Sequence, residues 1–201
     1  MKSERPGVRW GRKLFRLRSY AGVPLVLLAL FFGRAGIEEW IAGLGLIVIG
    51  ELLRIASVAY TGPTTRSRRI QAPELVTRGP YRYTRNPIYL GNFFLGAGFL
   101  MVLSGTLLWL WLLYIVLFWL EYTLIVQAEE AYLEQQFGEV YRKYRRETPR
   151  FVPVPGLHSR SRRGPDPSLA RALRSEKSTL LLITGILALA LLKTLWLQGT
   201  P

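Results

Sequence analysis

Apolar residues fall in five runs separated by polar or basic stretches, at about Ser19 to Ile37, Trp40 to Tyr60, Ile88 to Leu103, Leu107 to Ala128 and Thr179 to Leu197. Runs of this kind predict membrane-spanning helices, because a hydrocarbon core of about 30 Å needs about 20 apolar helical residues. The first run is the least regular: Arg34 interrupts it near one end, where a long side chain can snorkel, and Pro24 bends it near the other. From Asn86 to Leu120 there are 35 consecutive uncharged residues. As one helix they would reach about 50 Å, so the segment must fold back, with Ser104-Gly105-Thr106 as the turn. The resulting hairpin brings its two ends to one face: Arg85-Asn86-Pro87 at its start and Glu129-Glu130 at its exit. Trp109 and Trp111, at the far end, fit an interfacial aromatic belt.

After Glu130, Leu133, Phe137, Val140, Tyr141 and Tyr144 recur at helical spacing, with Arg142, Lys143, Arg145 and Arg146 on the other side. This predicts an amphipathic helix that either lies in the headgroups or covers a pocket, interrupted at Gly138 and stopped by Pro149. The expected fold is an all-α polytopic membrane bundle of about five transmembrane helices, with a helical hairpin and a cytoplasmic amphipathic helix. It divides into residues 1–60 (basic segment and two spans), 61–155 (core), 156–178 (basic linker) and 179–201 (last span).

Charge sets the orientation. Residues 1–18 hold seven Lys/Arg, 61–87 hold six and 129–178 hold eleven, while the remaining turns and the tail hold almost none. Placing all three on one face requires two crossings before residue 61, and predicts a cytoplasmic amino terminus and an outside carboxyl terminus. The net charge of +14 then belongs to lipid headgroups rather than nucleic acid, and the Arg66, Arg68 and Arg69 cluster faces headgroups. The basic start leads into an apolar run without a defensible cleavage site, so that run is expected to stay as a span. A compact chain of this kind suits a prokaryotic plasma membrane.

The chain has no cysteine, which excludes thiol nucleophiles and thiolate metal sites, and one histidine, His158, in the linker, which excludes a serine triad or a multi-histidine metal centre. No metal is expected. The remaining chemistry lies in polar residues beside the apolar hairpin, where they are costly and therefore mark a site.

Gly79-Pro80-Tyr81-Arg82-Tyr83 followed by Arg85-Asn86-Pro87-Ile88-Tyr89-Leu90-Gly91 forms one motif. Glu129-Glu130, then Phe137-Gly138, Tyr141, Tyr144 and Pro149-Arg150-Phe151-Val152-Pro153, forms a second. Together, over about Gly50 to Pro155, they resemble the integral-membrane methyltransferases that include isoprenylcysteine carboxyl methyltransferase and the phospholipid N-methyltransferases. Gly96-Ala97-Gly98 is similar to a G-x-G element of the phospholipid branch, although small residues along a membrane helix also serve helix packing.

The resemblance implies S-adenosylmethionine as cofactor and a lipid or isoprenoid-like substrate. It implies cofactor contacts from Tyr81, Arg85, Asn86, Pro87, Tyr89, Gly91, Gly96, Gly98, Glu129, Glu130 and Tyr141, with Glu129 and Glu130 as the catalytic carboxylates. A sulfonium cation suits the two carboxylates, and the aminoacyl carboxylate suits an Arg. Many relatives carry His where this chain has Asn86, which cannot titrate, so no general base stands there. A carboxylate acceptor needs none, whereas an amine would call on Glu129 or Glu130.

Glu51 and Arg54 lie one helical turn apart and either pair or face the hairpin. Arg54, toward the cytoplasmic leaflet, and Glu121, two turns before Glu129 and expected to pair with Arg54, are candidate substrate contacts. A membrane reductase with a nicotinamide cofactor and a non-catalytic membrane protein are the alternatives. O-, N- and S-methylation, and the oligomeric state, stay open.

Overall fold

A computed structural model describes residues 6–62, 67 and 69–199; Arg66 and Arg68 lie outside the described residues. The chain is all-α: α1 (Pro6–Leu17), α2 (Val23–Phe32), α3 (Ile37–Thr61), a 3-10 turn (Gly79–Arg82), α4 (Pro87–Ser104), α5 (Leu108–Glu147) and α6 (Leu169–Gly199). Four of these, α3 to α6, are long and apolar enough to cross a membrane.

The first predicted span is realised as the ten-residue α2. At about 1.5 Å per residue it covers about half of a hydrocarbon core, because Gly22 and Pro24 delay its start and the extended Gly33 ends it. Its flanks are held at both ends. At one end Arg18 Nη2 donates to Ser67 O at 3.0 Å, so the first two basic segments share a face. At the other, Gly33 lies against Leu103 and Ser104 at the end of α4.

The sequence pattern treats residues 1–18 only as a basic segment, but α1 is an amphipathic helix. Gly11 and Phe15 are buried while Arg9, Arg12, Lys13 and Arg16 face outward. A Cβ on Gly11 would stand 2.0 Å from Leu124 O, so α1 rests directly on the α5 backbone.

The hairpin turns where expected. Gly105 adopts φ +58, a left-handed conformation that favours glycine, and its N–H donates to Met101 O at 2.9 Å. In contrast, the fourth span and the amphipathic helix are one 40-residue rod, α5, broken only at Gly138 (φ 52). Glu129 and Glu130 therefore lie within a helix rather than at its exit. Below them Tyr141 and Tyr144 pack with Leu75, Leu133 and Phe137.

Two glycine pairs set the α3–α4 interface. Cβ atoms on Gly50 and Gly98 would meet Gly91 O at 2.7 Å and Gly43 O at 2.6 Å, so the antiparallel backbones touch at two levels one heptad apart.

α6 begins ten residues before its predicted span, so Glu176, assigned to the linker by hydropathy, sits buried in a helix. Near its far end Lys193 Nζ donates to Ala29 O and Leu103 O, both at 2.9 Å. These are last-turn carbonyls of α2 and α4, the negative ends of two helices, so one ammonium caps both. Lys193→Met, which keeps the length without the charge, is expected to destabilise the fold by roughly 1–2 kcal/mol. Thermal unfolding in detergent reads this out, and an unchanged melting temperature would remove the cap from the account.

Candidate functional site

A cavity of about 860 Å³ runs along the bundle between α2, α3, α4, α5 and α6. One end is polar, lined by Tyr81, Arg85, Asn86, Tyr89, Glu129 and Tyr144; the other is apolar, lined by Leu25, Val26, Leu95, Phe99, Leu100 and Leu103. This lies in the upper part of the size range of small-molecule sites, about 300–1,000 Å³.

At the polar end the two predicted motifs are neighbours. Tyr89 Oη donates to Glu129 Oε1 at 2.7 Å, joining the start of α4 to the middle of α5. The loop before α4 is strapped to the segment after α5: Arg85 N donates to Pro149 O at 2.9 Å, Asn86 Nδ2 to Arg150 O at 2.9 Å and Tyr144 Oη to Tyr81 O at 2.7 Å. Burial raises the Tyr81 phenol above its ordinary pKa, so it stays protonated.

The acidic doublet divides. Glu129 lines the cavity, and no salt bridge holds it among the described residues. Glu130 points away and is buried as a clamp: Arg85 Nη1 lies 3.0 Å from Oε1, Arg150 Nε donates to Oε1 at 3.1 Å and Arg150 Nη2 to Oε2 at 2.5 Å. Helix rotation explains the split, since adjacent residues point about 100° apart. The cavity thus receives Glu129, while Glu130 secures the loop that shapes it.

Of the other expected contacts, Tyr81, Arg85, Asn86, Pro87, Tyr89, Gly96, Arg54 and Glu121 line the cavity. Gly91 and Gly98 do not; they face Gly50 and Gly43 and belong to helix packing. Tyr141 is buried in the small cluster under the loop. Arg54 pairs with Glu176 at 2.6 Å and Glu51 at 3.5 Å rather than with Glu121.

Sequence patterns missed Arg18, Asn92, Tyr114, Tyr122 and Glu176, all of which line the cavity. Asn92 Nδ2 donates to Tyr122 Oη at 2.9 Å, and the Tyr122 ring lies 4.7 Å from that of Tyr89. Asn92, inside the longest uncharged run, and Glu176, just before the last one, were visible as polar residues in costly places.

Comparison with known proteins accords with this geometry. A model of the phospholipid methyltransferase family matches residues 39–140, half of the 201-residue chain, which includes α4, the Tyr89–Glu129 contact and most of α3 and α5. The chain belongs to that family. It is 32% identical over 117 residues to protein-S-isoprenylcysteine O-methyltransferase of Schizosaccharomyces pombe, covering 56% of this chain and 49% of that one. It is 31% identical over 130 residues to protein-S-isoprenylcysteine O-methyltransferase B of Arabidopsis thaliana, covering 62% and 65%. It is also 33% identical over 135 residues to the nickel-cobalt-cadmium resistance protein NccN of Alcaligenes xylosoxydans xylosoxydans, covering 65% and 61%. The chain spans about half to two thirds of the length of these curated relatives. No solved structure matches it. Arg18 and Glu176 lie outside the family-matched residues, so two of the cavity's charged groups come from the flanking segments, the turn after α1 and the start of α6.

Proposed function

We propose that this protein is an S-adenosylmethionine-dependent methyltransferase acting on a lipid or isoprenoid-like substrate at the cytoplasmic leaflet. The observation that carries this reading is the single cavity joining a cation-seeking carboxylate at one end to an apolar channel at the other. Glu129 fits the cofactor's charge: it is a carboxylate facing a cavity, with one hydrogen bond from Tyr89 and no salt bridge among the described residues. Arg18, donating to Phe15 O at 2.6 Å and Ser67 O at 3.0 Å, brings positive charge to the same region for an aminoacyl carboxylate. When bound, the cofactor supplies an electrophilic methyl group on a sulfonium.

The chain's own part is to align and to exclude water. Tyr89 fixes the Glu129 carboxylate, the Glu130 clamp fixes the loop carrying Asn86 and Pro87, and the apolar walls keep the reacting region dry. Such dry surroundings would favour a transfer that neutralises charge, so Tyr89, Glu129 and the Glu130 clamp need only hold and orient the reactants, with no covalent enzyme intermediate. A carboxylate acceptor arrives already anionic; for an amine, Glu129 is the available proton acceptor, because both oxygens of Glu130 are engaged by Arg150.

The test is incubation of purified protein with isotopically methyl-labelled cofactor and total lipid extract, followed by mass spectrometry. A labelled lipid that disappears with Glu129→Gln is the expected result. A well-folded protein that binds reduced nicotinamide and not this cofactor would replace the reading with a reductase, and one that binds neither would leave a non-catalytic protein.

A further inference from the structure

The cavity carries a chain of polar groups, from Glu176 on α6 to Tyr122 on α5, that lies outside the two sequence motifs. Glu176 on α6, buried to 1% exposure, accepts from Arg54 Nη2 at 2.6 Å, and Thr179 Oγ1 lies 3.3 Å from the same nitrogen. Arg54 Nη1 donates to Asn92 Oδ1, and Asn92 Nδ2 donates in turn to Tyr122 Oη at 2.9 Å.

The direction of this chain has a chemical consequence. A guanidinium only donates, so it claims the amide oxygen of Asn92 and leaves the amide nitrogen toward Tyr122. The Tyr122 hydroxyl must therefore accept from Asn92, and its own proton is free to be given elsewhere. Among the described residues it donates to none, although the side chain is buried and lines the cavity. A buried donor without an acceptor is costly, and a ligand atom is what the cavity has room for.

We propose that Tyr122 is a substrate-binding residue whose hydroxyl donates to an anionic oxygen of the substrate headgroup, with Glu176, Arg54 and Asn92 as the positioning residues that hold it as a donor. The identity of the ligand rests on the methyltransferase reading; the polarity of the hydroxyl does not. The anionic oxygen belongs to a carboxylate or a phosphate, both of which the arrangement accepts, while an uncharged thioether offers no comparable acceptor. α6, which hydropathy identifies only as a span, thereby becomes part of the specificity of the site.

The experiment measures binding of three probes to full-length protein in detergent: an S-prenylcysteine, a phosphatidylethanolamine and the prenyl methyl thioether that lacks the headgroup. Tyr122→Phe and Asn92→Asp are each expected to weaken one of the first two by about tenfold while leaving the thioether within about twofold. Asn92→Asp is the decisive variant, because it keeps the shape and the Tyr122 hydroxyl but supplies an acceptor in place of the donor, turning the phenol proton inward. Glu176→Gln is expected to weaken the same probe about threefold, and to add nothing in the Tyr122→Phe background. Thermal unfolding verifies that each variant is folded.

Whichever anionic probe responds identifies the source of the oxygen. The inference is overturned if neither anionic probe binds wild-type protein, or if both bind equally well to Tyr122→Phe or Asn92→Asp. Tyr122-dependent binding by a folded protein that does not bind S-adenosylmethionine would uphold the inference and defeat the methyltransferase reading.

Discussion

Glu129→Gln is expected to weaken S-adenosylmethionine binding by roughly 10- to 150-fold, the equivalent of about 1.5–3 kcal/mol for a hydrogen-bonded charge. The substitution keeps the acceptor for Tyr89, whose hydroxyl lies 2.7 Å from Oε1, and removes only the negative charge presented to the cavity. Glu130→Gln, one position on, should behave differently. It leaves the Arg85 and Arg150 guanidinium groups without their shared counter-ion and loosens the loop, so thermal stability falls more than cofactor affinity. Equilibrium binding of labelled cofactor and melting in detergent separate the two. Equal effects of both variants on affinity would show that the doublet acts as one site and overturn this division of roles.

Gly98→Val is expected to cost about 3 kcal/mol or more and to prevent accumulation of folded protein. Its Cβ would stand 2.6 Å from Gly43 O and 2.9 Å from Ile47 N. Both are backbone atoms of α3, so relief requires moving a helix rather than a rotamer. Gly50→Val meets the same obstacle at Gly91 O and Leu95 N, at 2.7 Å and 2.8 Å. Gly45→Val is the control, since nothing lies within 4 Å of its added carbon. Size-exclusion profiles in detergent distinguish the three, and a monodisperse Gly98→Val protein with wild-type melting would overturn this packing.

Most of the apolar architecture was legible in the chain. The hairpin, its turn at Gly105, the break at Gly138 and the meeting of the Asn86 and Glu129 motifs follow from segment length, helical period and glycine chemistry, which are local properties. Three features were not. The α1 helix is too basic to register in a hydropathy pattern, yet its Gly7–Gly11–Phe15 stripe gives it a face for α5. The start of α6 is hidden because Glu176 and Lys177 resemble a solvated linker until Arg54 is seen opposite. The shortness of α2 depends on two glycine-flanked ends that only the neighbouring α4 terminus makes useful.

By itself the sequence determined how many apolar segments there are, which stretches carry the bases and which two motifs share an end, since each depends on residues close together or on a length that must match a slab. Tertiary structure alone decided that Glu129 and not Glu130 enters the cavity, that Gly91 and Gly98 pack against Gly50 and Gly43, and that Arg54 answers to Glu176. The physical reason is rotational. Hydropathy measures whether a helix is buried, but the angle at which it presents neighbouring side chains is set by the helices packed against it.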